Sequence, residues 1–226
     1  MMMETERFEA LIDAILAIII TIIVMEIPLP ETTSLSSLFD LSPQFLSYAL
    51  SFVICFNVWN YHHNLFSIVN KLNSSITWTG SIAIMIVGLL PHVTTMISTD
   101  FYSFTAQAMF GLVFLLTNIN FYVADLLLIR FDKANIALRL ALKDRKKITI
   151  IGFLLQVVGF IIGYLFYPPA IFVGCVLSVA VSLSWPKIKE YLSLKKPNRA
   201  LLANLIDKIY ISQDKTIEIH YKFKLM

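Results

Sequence analysis

The sequence predicts an all-α integral membrane protein that crosses the bilayer six times, with both termini in the cytoplasm. Three observations carry that reading. Hydrophobic residues make up 58% of the 226 residues and charged residues only 15%, with a mean hydropathy of +0.75, whereas about a quarter of a soluble domain is charged. Six apolar runs suit the ~20 residues that a helix needs to cross the hydrocarbon core, at roughly 7–27, 43–69, 74–98, 103–129, 147–167 and 169–187. Basic residues near span ends are retained on the cytoplasmic side, and with the N-terminus inside, all 18 fall there. Arg7 precedes the first run, Lys71 lies in the second loop, and Arg130, Lys133, Arg139, Lys143, Arg145, Lys146 and Lys147 lie in the fourth. The rest, from Lys187 to Lys224, follow the sixth run. The outer segments around 28–42, 98–102 and 167–169 contain none, yet hold Glu31, Asp40 and Asp100. An odd number of spans breaks this partition.

The net charge of +3 is therefore a signal of topology and not of nucleic-acid binding, since the basic clusters lack interleaved aromatics and recognition motifs. They suit anionic lipid headgroups. Cys55 and Cys175 sit mid-span as small buried hydrophobes, with no disulfide framework. The first run has the outline of a signal peptide, but it is too long, Asp13 interrupts it, and Glu26 and Pro28 replace a small-residue cleavage site.

Each element has its own signals. Pro28 and Pro30 end the first helix, and Glu31 to Ser42 reads as a Ser/Thr-rich outer loop before Pro43, which suits a first helical turn. Pro91 should kink the third span, with Thr94, Thr95 or neighbouring helices satisfying the freed carbonyls. Gly159 and Gly163 form a small-xxx-small packing face on the fifth span, and Tyr167-Pro168-Pro169 makes a tight outer corner. Beyond Pro186 the polarity changes sharply. Leu201, Leu202, Leu205, Ile206 and Ile209 recur at helical spacing, which predicts a short amphipathic surface helix, while Ile217, Ile219, Tyr221 and Phe223 alternate as in a strand or an unstructured end. The chain thus divides into a six-span domain, 1–192, and a cytoplasmic tail, 193–226.

The residues that could carry chemistry are few. His62-His63 looks like a metal-ligand pair, but adjacent helical residues point about 100° apart, and no HExxH pattern or acidic cluster supplies a third ligand. No nucleophile elbow, P-loop or dinucleotide fingerprint occurs, so neither an enzyme nor a cofactor is expected. On the first helix Ile15, Ile18, Ile22 and Met25 share one face over about three turns. Arg7 and Asp13 flank its start, where a charge at the centre of a span costs roughly 2.5–3.5 kcal/mol on insertion scales. They stand about 240° apart around the helix and about 9 Å apart along it, so each needs partners on other spans. Trp59, His62, His63, Asn64 and Asn73 are nearest by depth. Asp125 is a second buried acid, expected to pair with a Lys or Arg of the following segment.

Two segments carry a family resemblance. The run from Arg7 to Pro28 resembles the first helix of the transmembrane protein 175 family, the lysosomal potassium channel and its prokaryotic relatives. Arg7, Asp13, Ala14, Ala17, Ile18, Glu26 and Pro28 match that pattern, whereas Leu11 and Ile12 replace the family's Phe and Ser. Trp59-Asn60-Tyr61-His62-His63-Asn64-Leu65-Phe66 is similar to its Trp-x-x-His-His-x-x-Phe.

What the resemblance implies is a homotetramer of six-helix subunits with the first helices lining a pore for potassium and other monovalent cations. It assigns the constriction to Ile18, with Ile22 and Met25 as further rings and Thr21 at a position that influences ion preference. It assigns Arg7, Asp13, Trp59, His62, His63, Asn64 and Asn73 to a structural hydrogen-bond network at the inner end, thinned here because Ile12 stands in the serine position. Glu26, Glu31 and Asp40 make the outer mouth negative. A single six-span unit implies a prokaryotic plasma membrane. A secondary transporter, proton-coupled through Asp13, His63 or Asp125, is the alternative, although the paired interrupted helices of such transporters are not evident.

Overall fold

The computed structural model describes residues 5–69, 73–132, 136–183, 206–211 and 217–221. The chain divides into two units between Trp185 and Pro186, where the polarity changes and ahead of the boundary expected at 192. The helices are α1 (Thr5–Met25), α2 (Leu35–Asp40), α3 (Ser42–Ile68), α4 (Ser74–Val87), α5 (Leu90–Thr99), α6 (Phe104–Phe131), α7 (Ile136–Leu165) and α8 (Ala170–Leu183), all in the first unit. Among the described residues four stretches are long and apolar enough to cross a membrane: Glu6–Met25, Ser74–Thr99, Phe104–Phe131 and Ala141–Leu165. The 27 residues of α3 reach about 40 Å at 1.5 Å per residue, but Asn57, Asn60, His62, His63 and Asn64 dilute its apolar character. The described part of α8 is a shorter apolar helix.

The third apolar run breaks where Pro91 predicts. α4 ends at Val87, Gly88 and Leu89 form a turn, and Pro91 occupies the first turn of α5, where its missing N–H costs nothing. The expected rescue by threonines takes another form. Thr94 and Thr95 donate to the carbonyls of Leu90 and Pro91, at 2.6 and 3.0 Å, and Thr94 also joins Ser51 of α3 at 2.7 Å. α6 packs against α4, α5, α7 and α8, and α1 lies on α3, α4 and α5. At the outer corner, buried Gln107 donates to the carbonyl of Phe101 at 2.6 Å and accepts from the amide of Phe172 at 3.2 Å, tying α6 to the start of α8.

Three expectations are corrected. The outer Ser/Thr-rich stretch is not all loop: Ser34 caps α2 by accepting from the amide of Ser37, a helix-start signal that serine commonly supplies. The basic connection before the fifth span is largely helical, because α7 begins at Ile136, with Leu138, Ala141 and Leu142 buried. Apolar residues at i, i+3 and i+4 extend the helix inward. Finally, Ile206 and Ile209 lie on a strand and not on a helix. Leu201, Leu202 and Leu205 lie outside the described residues. In the second unit β1 (Ile206–Ile211) pairs antiparallel with β2 (Ile217–Tyr221), with Ile209 opposite Ile219, Ile211 opposite Ile217 and an irregularity between Ile206 and Lys208. β-branched alternation there outweighs the helical spacing.

Helices in lipid gain little from burying apolar area and rely on close packing. α7 and α8 meet through Gly159 and Gly174: a Cβ on Gly159 would lie 2.8 Å from the carbonyl oxygen of Ala170 and 3.1 Å from the Cα of Gly174. Gly174→Leu should therefore destabilise the protein by about 1–3 kcal/mol or more through overpacking. Thermal melting in detergent checks this against Ala180→Leu on the exposed side of the same helix, which should melt within a degree or so of the parent, as surface changes generally do.

Candidate functional site

The two faces of α1 have different fates. Phe8, Ile12, Leu16, Ile19 and Ile23 are buried, a spacing of three and four residues that turns one face toward the core. Phe8 sits edge-on to Phe66, with centroids 5.9 Å apart, above Gly80, where a Cβ would stand 2.7 Å from the Phe8 ring. The other face is apolar and uncovered within the chain: Ile18 is 58% exposed, Ile22 41% and Met25 82%. Thr21 is exposed beside them and donates its hydroxyl to the carbonyl of Ile18 at 2.7 Å. That bond occupies its proton and leaves its oxygen lone pairs outward.

At the C-terminal end of α1 Glu26 lies 3.2 Å from the Thr95 hydroxyl of α5, whose one proton is shared with the carbonyl of Pro91. Glu31 and Asp40 are exposed.

Near the start of α1 the residues expected in one network make these local contacts among the described residues. Arg7 and Asp13 are exposed, and among the described residues Glu9, not either of them, is the residue of α1 bonded to the histidine pair. His63 bonds Glu9 at 2.9 Å through Nδ1, and the Trp59 ring stacks on it at 5.0 Å, within 7° of parallel. His62 faces the other way, buried against Phe66 and Phe121, with Nδ1 3.0 Å from the carbonyl of Val58. The two histidines thus do not converge. Asn64 donates to Asn60 at 2.8 Å, and Asn73 caps α4 by accepting from the amide of Ile76 at 2.9 Å. Ile12, in the serine position, is fully buried, and Leu11 is half exposed. Glu9 was missed by sequence reasoning. Its role depends on the relative depth of α1 and α3, which no local pattern encodes.

A second polar cluster lies between α3, α6 and α7. Tyr61 donates its phenol to one carboxylate oxygen of Asp125 at 2.8 Å, and Arg145 of α7 donates to the other. The guanidinium carbon stands 3.9 Å from the centre of the Tyr61 ring and 5.5 Å from that of Phe121. Both carboxylate oxygens are thus satisfied, and the cation gains two ring faces.

With this geometry in hand, the relatives are informative. The family described as endosomal/lysosomal potassium channel TMEM175 matches residues 7–91. A potassium channel of Chryseobacterium sp. is 34% identical over 194 residues, which span 86% of this chain and all of that one. The chain belongs to the TMEM175 family. Potassium channels of Chamaesiphon minutus and Streptomyces collinus match over shorter stretches, at 35% identity over 42% of this chain and half of the relative, and at 28% over 50% of this chain and 58% of the relative. The crystal structure of a lysosomal potassium-selective channel TMEM175 homolog from Chamaesiphon minutus shares the fold, with a TM-score of 0.68 at 24% identity over 81% of this chain and 98% of that one.

The TMEM175 match runs from Arg7 to Pro91 and so includes both motifs, whereas Asp125 and Arg145 lie beyond it. The buried pair is nonetheless a structural keystone of this chain. Removing one partner strands a charge in an apolar interior, so Arg145→Ala should cost about 3–5 kcal/mol. Asp125→Asn combined with Arg145→Met should cost less than Arg145→Ala alone, because no uncompensated charge remains. Melting of the purified variants in detergent measures both.

Proposed function

We propose that this protein is a potassium-permeable, weakly selective cation channel of a prokaryotic plasma membrane. In this reading it is a homotetramer of six-span subunits, with both termini in the cytoplasm and four copies of α1 around a central pore. The observation that carries the proposal is the apolar face of α1 left uncovered within its own chain, on a helix that matches the family pattern. The names borne by the relatives supply the ion.

Ile18 forms the constriction, with Ile22 and Met25 as wider rings toward the outside. A ring of branched aliphatic side chains offers an ion no ligands. Crossing it requires shedding water or wetting the gap, and potassium loses its water more readily than sodium. Selectivity built this way is modest, because no fixed carbonyls replace the hydration shell. Thr21, with its lone pairs free, is the polar group nearest the constriction and biases the preference. Four copies each of Glu26, Glu31 and Asp40 make the outer mouth negative and concentrate cations there. Arg7, Asp13, Trp59, His62, His63, Asn64 and Asn73 support the inner end of α1, Arg7 and Asp13 finding their partners in neighbouring subunits. Lipid headgroups meet the basic residues of the cytoplasmic side. No catalytic step and no cofactor enter this account.

Ion flux from protein reconstituted in liposomes tests the proposal. The parent should pass potassium faster than sodium. Ile18→Asn should raise flux several-fold and reduce the preference, since an amide ring wets more easily than an isoleucine ring. A parent without potassium flux, or an Ile18→Asn variant indistinguishable from the parent in both rate and preference, refutes the assignment.

A further inference from the structure

Inside the subunit, away from α1, a cavity opens between α3, α6, α7 and α8 with a volume of about 30 Å³ for the centre of a water molecule. Its walls mix polar and apolar surface although the surrounding helices are mainly apolar: Asn57, Asn118, Arg145, Thr149 and Ser178 all contribute polar groups. Some of these groups are already engaged. Arg145 bonds Asp125, and Thr149 donates to the carbonyl of Arg145. One is not. The amide nitrogen of Asn118 is fully buried with no hydrogen-bond partner among the described residues. Ser178, only 4% exposed, also lines the cavity. Gly152 keeps the space open, because a Cβ there would lie 2.8 Å from the Ser178 hydroxyl oxygen.

A buried amide in a membrane protein must find its partner inside the protein or in bound water. Asn118 has two amide protons to place, Ser178 brings a group that donates and accepts, and Asn57 adds both functions. The Arg145–Asp125 pair leaves the wall close to neutral, which disfavours a free ion. Each buried water typically makes about three hydrogen bonds and needs about 10–15 Å³ of such volume, so both the unmet bonding capacity and the size suit about two molecules.

We propose that this cavity is a hydration site holding a small cluster of water bonded to Asn118 and Ser178, beside the Arg145–Asp125 pair and separate from the face of α1. The water satisfies groups that the helices cannot satisfy for one another, and it makes the interior of each subunit wet independently of any path between subunits.

The test uses the full chain in lipid nanodiscs with Ser178→Cys, followed by infrared spectroscopy of the S–H stretch after transfer to heavy water. Cys55 and Cys175, both fully buried and absent from the cavity wall, are internal controls. The introduced thiol should exchange on the order of ten-fold faster than the two native thiols, since protection from exchange reports isolation from water. Adding Gly152→Ala should slow it toward the controls. Exchange no faster than that of Cys55 and Cys175 overturns the proposal. Should Ser178→Cys fail to assemble, high-resolution electron cryo-microscopy of the unaltered protein decides. Non-protein density within hydrogen-bond distance of Asn118 and Ser178 supports the site, and none there, at a resolution where other buried waters are visible, overturns it. Neither result depends on whether the protein conducts potassium.

Discussion

A transmembrane helix must place its whole circumference, and α1 places only part of it within its own chain. Phe8, Ile12, Leu16, Ile19 and Ile23 take the side toward α3, α4 and α5. That leaves Ile18, Ile22 and Met25 outside the fold. Most other features serve this arrangement. Gly80 admits the Phe8 ring, Ser51 and Thr94 join α3 to α5, and the contacts of α6 with α4 and α5 brace the surface on which α1 lies. The fold is a cradle for one helix, and what it offers to its surroundings is that helix's other side.

Polar groups inside the cradle follow a different logic. Lipid gives them no partner, so each needs one from the protein or from bound water. Asp125 is satisfied by Tyr61 and Arg145, Gln107 by a loop carbonyl and a helix-start amide, His62 by a carbonyl one turn back. The Tyr61, Asp125 and Arg145 cluster and the Gln107 bond to Phe172 join helices far apart in sequence and fix how those helices are rotated against one another. Gln156, 1% exposed with neither amide atom bonded among the described residues, has its partner in none of the described side chains.

Features that repeat with the period of one element were legible in the sequence. The stripe on α1, the break at Pro91, the glycine face of α7 and the outer proline corner all follow from local spacing or backbone chemistry. Features that depend on the relation between two elements were not. Glu9 and His63 meet because of the depth at which α1 and α3 stand. Arg145 was assigned to a connecting loop because charge ends a hydropathy window, yet its long side chain sits on an inward extension of α7 and reaches Asp125. Ile206 and Ile209 fit two periods at once, and pairing with a second segment decides between them, as short apolar runs allow. Of the site residues, the exposed positions on α1 were readable as a face, whereas the surroundings of Arg7 and Asp13 were not.

The interruption between α4 and α5 has a mechanical corollary. α1 is seated at two heights on two different pieces: its N-terminal end on α4, through Phe8 over Gly80, and its C-terminal end on α5, through Glu26 and Thr95. Those pieces meet at the Gly88–Leu89 turn, without a continuous helix between them. Any change in the angle at that elbow displaces the top of α1 relative to its foot, so a bend in a neighbouring segment becomes a tilt of the helix that carries Ile18.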